Sequence, residues 1–260
     1  MKRIKQIQTA DAVRFFQKSM MEKYKLVTYT NKNEPAVFMG CYHARDLNKI
    51  LQHRGLSIVL WLGTDALRYL QRPNVADSLR GENIRHIAQS EYIARDLDKV
   101  GLKYKRINIA TSNYKANPVP LGDTVYMYYG GNQEHFQNFY NYPLFKEIQE
   151  ELSSIKFLAA CRGRFKPIEM PAVYENCFMG LRLTPHDGLA ETVVEMGMMG
   201  RRCVWNEPFP GCYQWENKED VKNAILKEHK NIGKTNTQLI KEVERYIETG
   251  TDWLKEKYWI

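Results

Sequence analysis

"YENCFMGLRLTPHDGLAETVVEMGMMGRRCVW", residues 174–205, is the stretch from which the rest of the chain can be read. CFMGLRL (177–183) reads as a buried strand, RCVWN (202–206) as a second, and the run between them as a helix, the alternation of a parallel α/β sheet. The turn into that helix has two readings. Thr184 can act as N-cap with Pro185 at the first helical position and Asp187 at the third, which uses the acid only to satisfy backbone N–H groups. That reading leaves Gly188 unexplained, because glycine in a first turn costs about 0.5–1 kcal/mol relative to alanine. The other starts the helix near Gly188 or Leu189, so that its free N–H groups and positive dipole end meet a phosphate and Gly188 leaves room for it. Glu195 then lies roughly two turns beyond Asp187 at ~3.6 residues per turn, and both carboxylates suit sugar hydroxyls.

Working outward, the 260 residues carry 38 Lys and Arg against 30 Asp and Glu, a net charge of +8 that suits an anionic partner without naming one. At 43% hydrophobic and 26% charged the chain belongs to the folding class. No apolar run approaches the roughly 20 residues needed to span a bilayer, and the amino terminus lacks the unbroken apolar segment of a signal peptide, so a cytoplasmic protein is expected. Five scattered cysteines form no metal-binding cluster and read as reduced thiols. No phosphate loop of the G-x-x-x-x-G-K-[ST] type and no G-x-S-x-G elbow occurs, which argues against nucleotide hydrolases and serine esterases.

The first half alternates strand candidates at 36–41, 56–63, 83–89 and 104–110 with helix candidates at 44–55 and 90–101, the latter opened by Ser90 and closed by Gly101. Residues 111–123 concentrate Pro, Gly, Asn and Ser and read as a linker. A second α/β unit follows, with TVYMYYGG (124–131) and IKFLAAC (155–161) as strands and 142–154 as a helix. The end, 235–260, gives one or two amphipathic helices closing in aromatics.

The quoted stretch resembles the donor-binding segment of retaining glycosyltransferases with the GT-B fold, of the group 1, family 4-like kind. In that family an acid, a glycine, a helix and a second acid eight residues on recur. The resemblance implies that Asp187 contacts the donor sugar, that the Gly188–Leu189 backbone contacts the diphosphate and that Glu195 holds the ribose. The family usually has glutamate at the first acid, where this chain has aspartate. NIRHIAQSEYIARDLDKVGL (83–102) is similar to the last strand and helix of the first GT-B domain, and VYMYYGGNQ, with Gly130 and Gly131, to the glycine turn opening the second. The implied fold is two Rossmann-like domains whose parallel sheets face a cleft: a reduced acceptor domain (1–118), a donor domain (119–238) and carboxyl-terminal helices (239–260) crossing back to the first.

Other residues take roles within that frame. Arg162, and next Arg164, follow a strand and would stabilise the departing diphosphate in place of a metal; solvated loop arginines are the bland alternative. His186 is placed to donate to a phosphate or sugar oxygen, or does nothing. Gly63 and Thr64 would line the acceptor side with Gly40, while Asp65 either orients an acceptor hydroxyl or, as aspartate more often does, caps the helix after it. The expected donor is a UDP- or GDP-linked sugar with no cofactor, and the expected acceptor a glycan, a lipid or modified DNA, with peripheral membrane contact open to the aromatic end. The alternatives are a nucleotide-sugar epimerase or hydrolase on the same fold, or a nucleic-acid-binding protein using the basic surface.

Overall fold

The computed structural model describes residues 3–112 and 115–259, so two residues of the expected linker, 113 and 114, and the last of the carboxyl-terminal stretch lie outside the described residues. The chain forms two compact units, the first from Met1–Asn113, His186–Leu189 and Ile247–Ile260, the second from Tyr114–Pro185 and Ala190–Tyr246.

The first unit holds a six-stranded sheet of β1 (Gln6–Thr9), β2 (Val27–Thr28), β3 (Ala36–Met39), β4 (Ser57–Trp61), β5 (Ile84–Ala88) and β6 (Tyr104–Arg106), ordered β2-β1-β3-β4-β5-β6. All its strand pairs are parallel. Four of the six strands were expected; β1 and β2 were not. Both faces are covered, as the unbroken apolar runs of β3 and β4 require. Val37, Met39, Ile58 and Leu60 point one way, against Met20 and Tyr24 of α1 (Gln17–Tyr24) and against Trp253 and Leu254. Phe38, Val59 and Trp61 point the other way, against Ile50 of α2 (Ala44–Leu51), Val75 of the short α3 (Val75–Ser78), and Ile93 and Leu97 of α4 (Glu91–Lys99). Trp253 and Trp259 lie in short 3₁₀ turns, Asp252–Leu254 and Glu256–Trp259, where helices were expected. The Ile4 N–H donates to Leu254 and the Tyr24 ring meets Trp253 edge-on at 5.2 Å, which seats the carboxyl-terminal segment in the first unit.

The second unit holds a five-stranded parallel sheet, ordered β11-β10-β9-β7-β8, from β7 (Thr124–Tyr128), β8 (Lys156–Ala160), β9 (Cys177–Leu181), β10 (Arg202–Val204) and β11 (Cys212–Tyr213). Its helices are α5 (Glu134–Phe139), α6 (Tyr142–Glu151), α7 (Met170–Glu175), α8 (Glu191–Met198), α9 (Lys218–His229) and α10 (Thr237–Tyr246). Phe145 and Ile148 of α6 and Val221 and Ile225 of α9 pack on Val125, Met127 and Leu181. The other face carries Tyr126 and Gly180. A side chain at Gly180 would meet Met196 Sδ at 2.5 Å, so glycine there lets α8 lie close to β9. Helix α10 belongs to this second unit, and only the segment after it joins the first.

Candidate functional site

In parallel sheets the carboxyl ends of the strands are where loops can gather polar groups around a ligand. In the second unit that edge collects Gly130 and Gly131 after β7, Arg162 after β8 and Arg182 after β9, with α8 beginning nearby in sequence. Helix α8 starts at Glu191, later than the expected Gly188 or Leu189, and no side chain caps its first turn. Glu195 stands on its second turn, half-buried, and its Oε2 accepts a 2.9 Å hydrogen bond from the Tyr174 hydroxyl of α7. Burial pushes the Glu195 carboxyl up to about 8, with Glu191 adding to the rise and the Tyr174 bond opposing it. The Tyr174 ring is itself buried and meets Tyr126 edge-on at 5.3 Å. This pair leaves Glu195 Oε1 for a further partner.

Behind the pair lies Arg201, 1% exposed, whose guanidinium donates to the carbonyls of Val119, Pro120, Tyr174, Glu175, Cys177 and Met199. It ties the entry to β7, the end of α7 and the end of α8 together. Neither Tyr174, Tyr126 nor Arg201 was picked out from the sequence.

The remaining residues of this edge divide. The Arg162 N–H donates to the Gly130 carbonyl at 3.2 Å, and its exposed side chain, with that of Arg182, lies near enough to offset part of the rise that burial causes at the Tyr128 hydroxyl. Arg182 sits 4.8 Å over the Tyr140 ring, and the same ring covers the left-handed Gly130. Arg164 bonds the Ala159 carbonyl at the carboxyl end of β8 and lies 5.4 Å over the Phe165 ring.

The segment His186–Leu189 belongs to the first unit, which was not foreseen. His186 is 7% exposed and its Nε2 lies 2.6 Å from Asp96 Oδ2, so the expected donation to a ligand is corrected: the imidazole is committed to a buried carboxylate. Burial pushes the Asp96 carboxyl up, but hydrogen bonds from His186 and Lys99 outweigh this and hold it below the usual range. An ionised carboxylate only accepts, so Nε2 is the donor. Gly188 is also reassigned. A Cβ there would fall 2.0 Å from the Leu62 carbonyl oxygen, so the close approach that its glycine permits is to protein. Its amide donates to its neighbour's Asp187 Oδ1 at 2.9 Å, and Leu189 is buried.

Asp187 itself is half-buried beside the loops after β3 and β4. Its charge is among those that raise the buried Tyr42 hydroxyl, after burial and Asp65, and Gly63 lies against the Gly188 amide. Gly40, left-handed, is covered by the Tyr42 ring, and Thr64 is half-buried at the turn that follows β4. Asp65 is fully buried and accepts from the amides of Cys41, Leu62, Gly63 and Ala66. Burial raises it to about 6 against those four bonds. It fastens the loops after β3 and β4 together, which corrects its expected catalytic role, and it does not cap the helix after it either, since Thr64 holds the N-cap position of the turn Asp65–Tyr69 with no side-chain cap bond.

No protein-family model matches the chain, and no curated protein matches it. Solved structures do. The chain is similar to TarM, at 12% identity over 88% of this chain and 55% of that one, with a TM-score of 0.56. It is similar at 11% identity to a TarM variant from S. aureus in complex with Fondaparinux, alpha-GlcNAc-glycerol and UDP, over 86% of this chain and 53% of that one, TM-score 0.56. It is also similar to sucrose-phosphate synthase from Thermosynechococcus elongatus, at 11% identity over 90% of this chain and 73% of that one, TM-score 0.54. The fold is of the GT-B type. The chain spans about half the length of the TarM chains it matches. Among the described residues, no helix is long and apolar enough to cross a membrane and no group of three or more His, Cys, Asp or Glu is placed to hold a metal ion.

Proposed function

We propose that the chain transfers a sugar from a UDP- or GDP-linked donor to an acceptor hydroxyl, with retention at the anomeric carbon and without a metal. The observation that carries the reading is the Tyr174–Glu195 pair, which joins α7 to the second turn of α8, in a fold shared with glycosyltransferases. A half-buried carboxyl with one oxygen already committed to a tyrosine presents the other at a fixed angle, which suits a ribose hydroxyl better than a mobile surface acid would. The uncapped first turn of α8 and the exposed Arg162 supply dipole and charge for a diphosphate whose negative charge grows as the sugar leaves. Asp187 is the carboxylate in this reading that acts at the sugar or the acceptor. A glycan, a lipid or modified DNA remains the acceptor class.

Thermal unfolding with UDP and GDP tests it. A nucleotide at 100 times its Kd stabilises the native state by about 2.7 kcal/mol, a rise of roughly 5–11 °C for a chain of this size. Glu195→Ala should remove that rise, and Asp187→Asn should lower nucleotide-sugar turnover while leaving it in place. A wild-type protein that responds to no nucleoside diphosphate and hydrolyses no nucleotide sugar refutes the proposal.

A further inference from the structure

The four residues His186–Leu189 are held by more than one kind of bond, and most of them come from a single helix. Ser90, the N-cap of α4, uses its hydroxyl twice: it accepts from the Ile93 amide at 3.2 Å and donates to the Asp187 carbonyl at 2.9 Å. Tyr92 and Asp96, four apart and therefore on one face of α4, grip the same imidazole. The Tyr92 ring lies 5.3 Å from the His186 ring and Asp96 Oδ2 lies 2.6 Å from its Nε2. Lys99 holds the other Asp96 oxygen at 2.9 Å. On the far side the Leu62 carbonyl rests against Gly188.

A histidine and an aspartate buried together forfeit hydration that only good geometry recovers, and apolar residues would fill the same space at less cost. What the polar pair adds is a fixed register. Apolar packing tolerates small slides, whereas a 2.6 Å bond to a buried carboxylate does not. The side chain set by that register is Asp187, the next residue along, whose carbonyl is pinned by Ser90.

We propose that Asp96 and Ser90 are positioning residues that latch the Asp187 loop onto α4 and so fix the direction in which the Asp187 carboxylate points. This rests on the transferase reading, in which Asp187 acts at the sugar or the acceptor. Neither residue touches the substrate.

The test compares Asp96→Ala, Asp96→Asn and Ser90→Ala for turnover of UDP- and GDP-sugars, for UDP and GDP affinity, and for Tm. Asp96→Ala and Ser90→Ala should lower kcat by about 10- to 100-fold, the range that a displacement of about 1 Å at a reacting group produces. Nucleotide Kd should stay within about two-fold, because the nucleotide grip is assigned to Glu195 in the second unit. Asp96→Asn keeps an oxygen that accepts from Nε2 and should recover most of the rate. If Asp96→Ala does not fold, Ser90→Ala and His186→Gln carry the comparison. A wild type that turns over and an Asp96→Ala protein that is equally fast overturn the latch alone. The latch is also overturned if kcat, nucleotide affinity and Tm fall together. A wild type that neither binds nucleotide nor turns over any nucleotide sugar overturns the transferase reading and this one with it.

Discussion

Gly188→Ala separates two reasons for a glycine at the same position. If the residue is small to admit a phosphate, a methyl group leaves the ligand-free protein unharmed and weakens nucleotide binding. The structure gives the opposite order. The added Cβ would stand 2.0 Å from the Leu62 carbonyl oxygen and 2.7 Å from its carbon. An unstrained carbon–oxygen contact needs about 3.3 Å, so the loop after β4 or the segment itself must give way by more than 1 Å. Neither is free to do so, since Asp65 fastens the Leu62 and Gly63 amides and Ser90 fastens the Asp187 carbonyl. Overpacking costs typically 1–3 kcal/mol, and with backbone as the obstacle the upper figure applies, about 3 kcal/mol. That is roughly 6–12 °C in the ligand-free Tm for a chain of this length. The assay is thermal or urea unfolding without nucleotide, beside UDP and GDP affinity. An unchanged ligand-free Tm together with lost nucleotide binding would refute the contact with Leu62 as the reason for the glycine.

Two further outcomes follow from the second unit. Because the folded Glu195 carboxyl sits near 8, above its ordinary 4.5, its protonated form favours folding below the lower value and that advantage is lost as pH rises through the upper. Glu195→Gln, which keeps the neutral shape, should therefore gain on the wild type by roughly 1–3 kcal/mol between pH 5 and pH 9 in paired urea titrations, and a pH-independent difference would contradict the burial. Arg201→Ala removes a donor from six carbonyls, of which those of Tyr174 and Cys177 keep a backbone partner, and should lose at least about 3 kcal/mol in urea unfolding. It should also weaken UDP and GDP binding in whatever fraction stays folded, since Tyr174 loses its anchor; full nucleotide affinity in that fraction would contradict the support given to Glu195.

Much of the sheet architecture was legible because parallel strands buried on both faces carry near-continuous apolar runs, as AVFM in β3 and IVLW after Ser57 in β4 do. Strand β1 escaped notice for a physical reason. It reads QIQT, and the buried Gln6 earns its place through bonds to the Thr30 and Asn31 amides and the Asn31 and Glu34 carbonyls, partners that no local pattern announces. The carboxyl-terminal periodicity reads as helix past Tyr246, but Gly250 and Thr251 interrupt the run, and Trp253 and Trp259 pack from 3₁₀ turns. Glu195 is legible as a candidate through its spacing from Asp187 and the resemblance which that spacing carries. Its partner Tyr174 is 21 residues away and the partner of His186 is 90 away, distances over which sequence periodicity carries no signal.

The late start of α8 changes what the spacing of the two acids means. Read as one helix from Gly188, Asp187 and Glu195 would stand a fixed ~12 Å apart along an axis at ~1.5 Å per residue, and any ligand bridging them would be measured by that ruler. In the structure three residues separate Asp187 from the first residue of α8, and Asp187 is packed with the first unit while Glu195 is packed with the second. Each carboxylate is therefore oriented by how its own loop or helix is anchored within its own unit. For Glu195 the anchors are Tyr174 and, behind it, Arg201; for Asp187 they are Ser90 and the His186–Asp96 pair. A motif that looks continuous in sequence thus has two sets of supports, and a substitution in either set should disturb one carboxylate and spare the other.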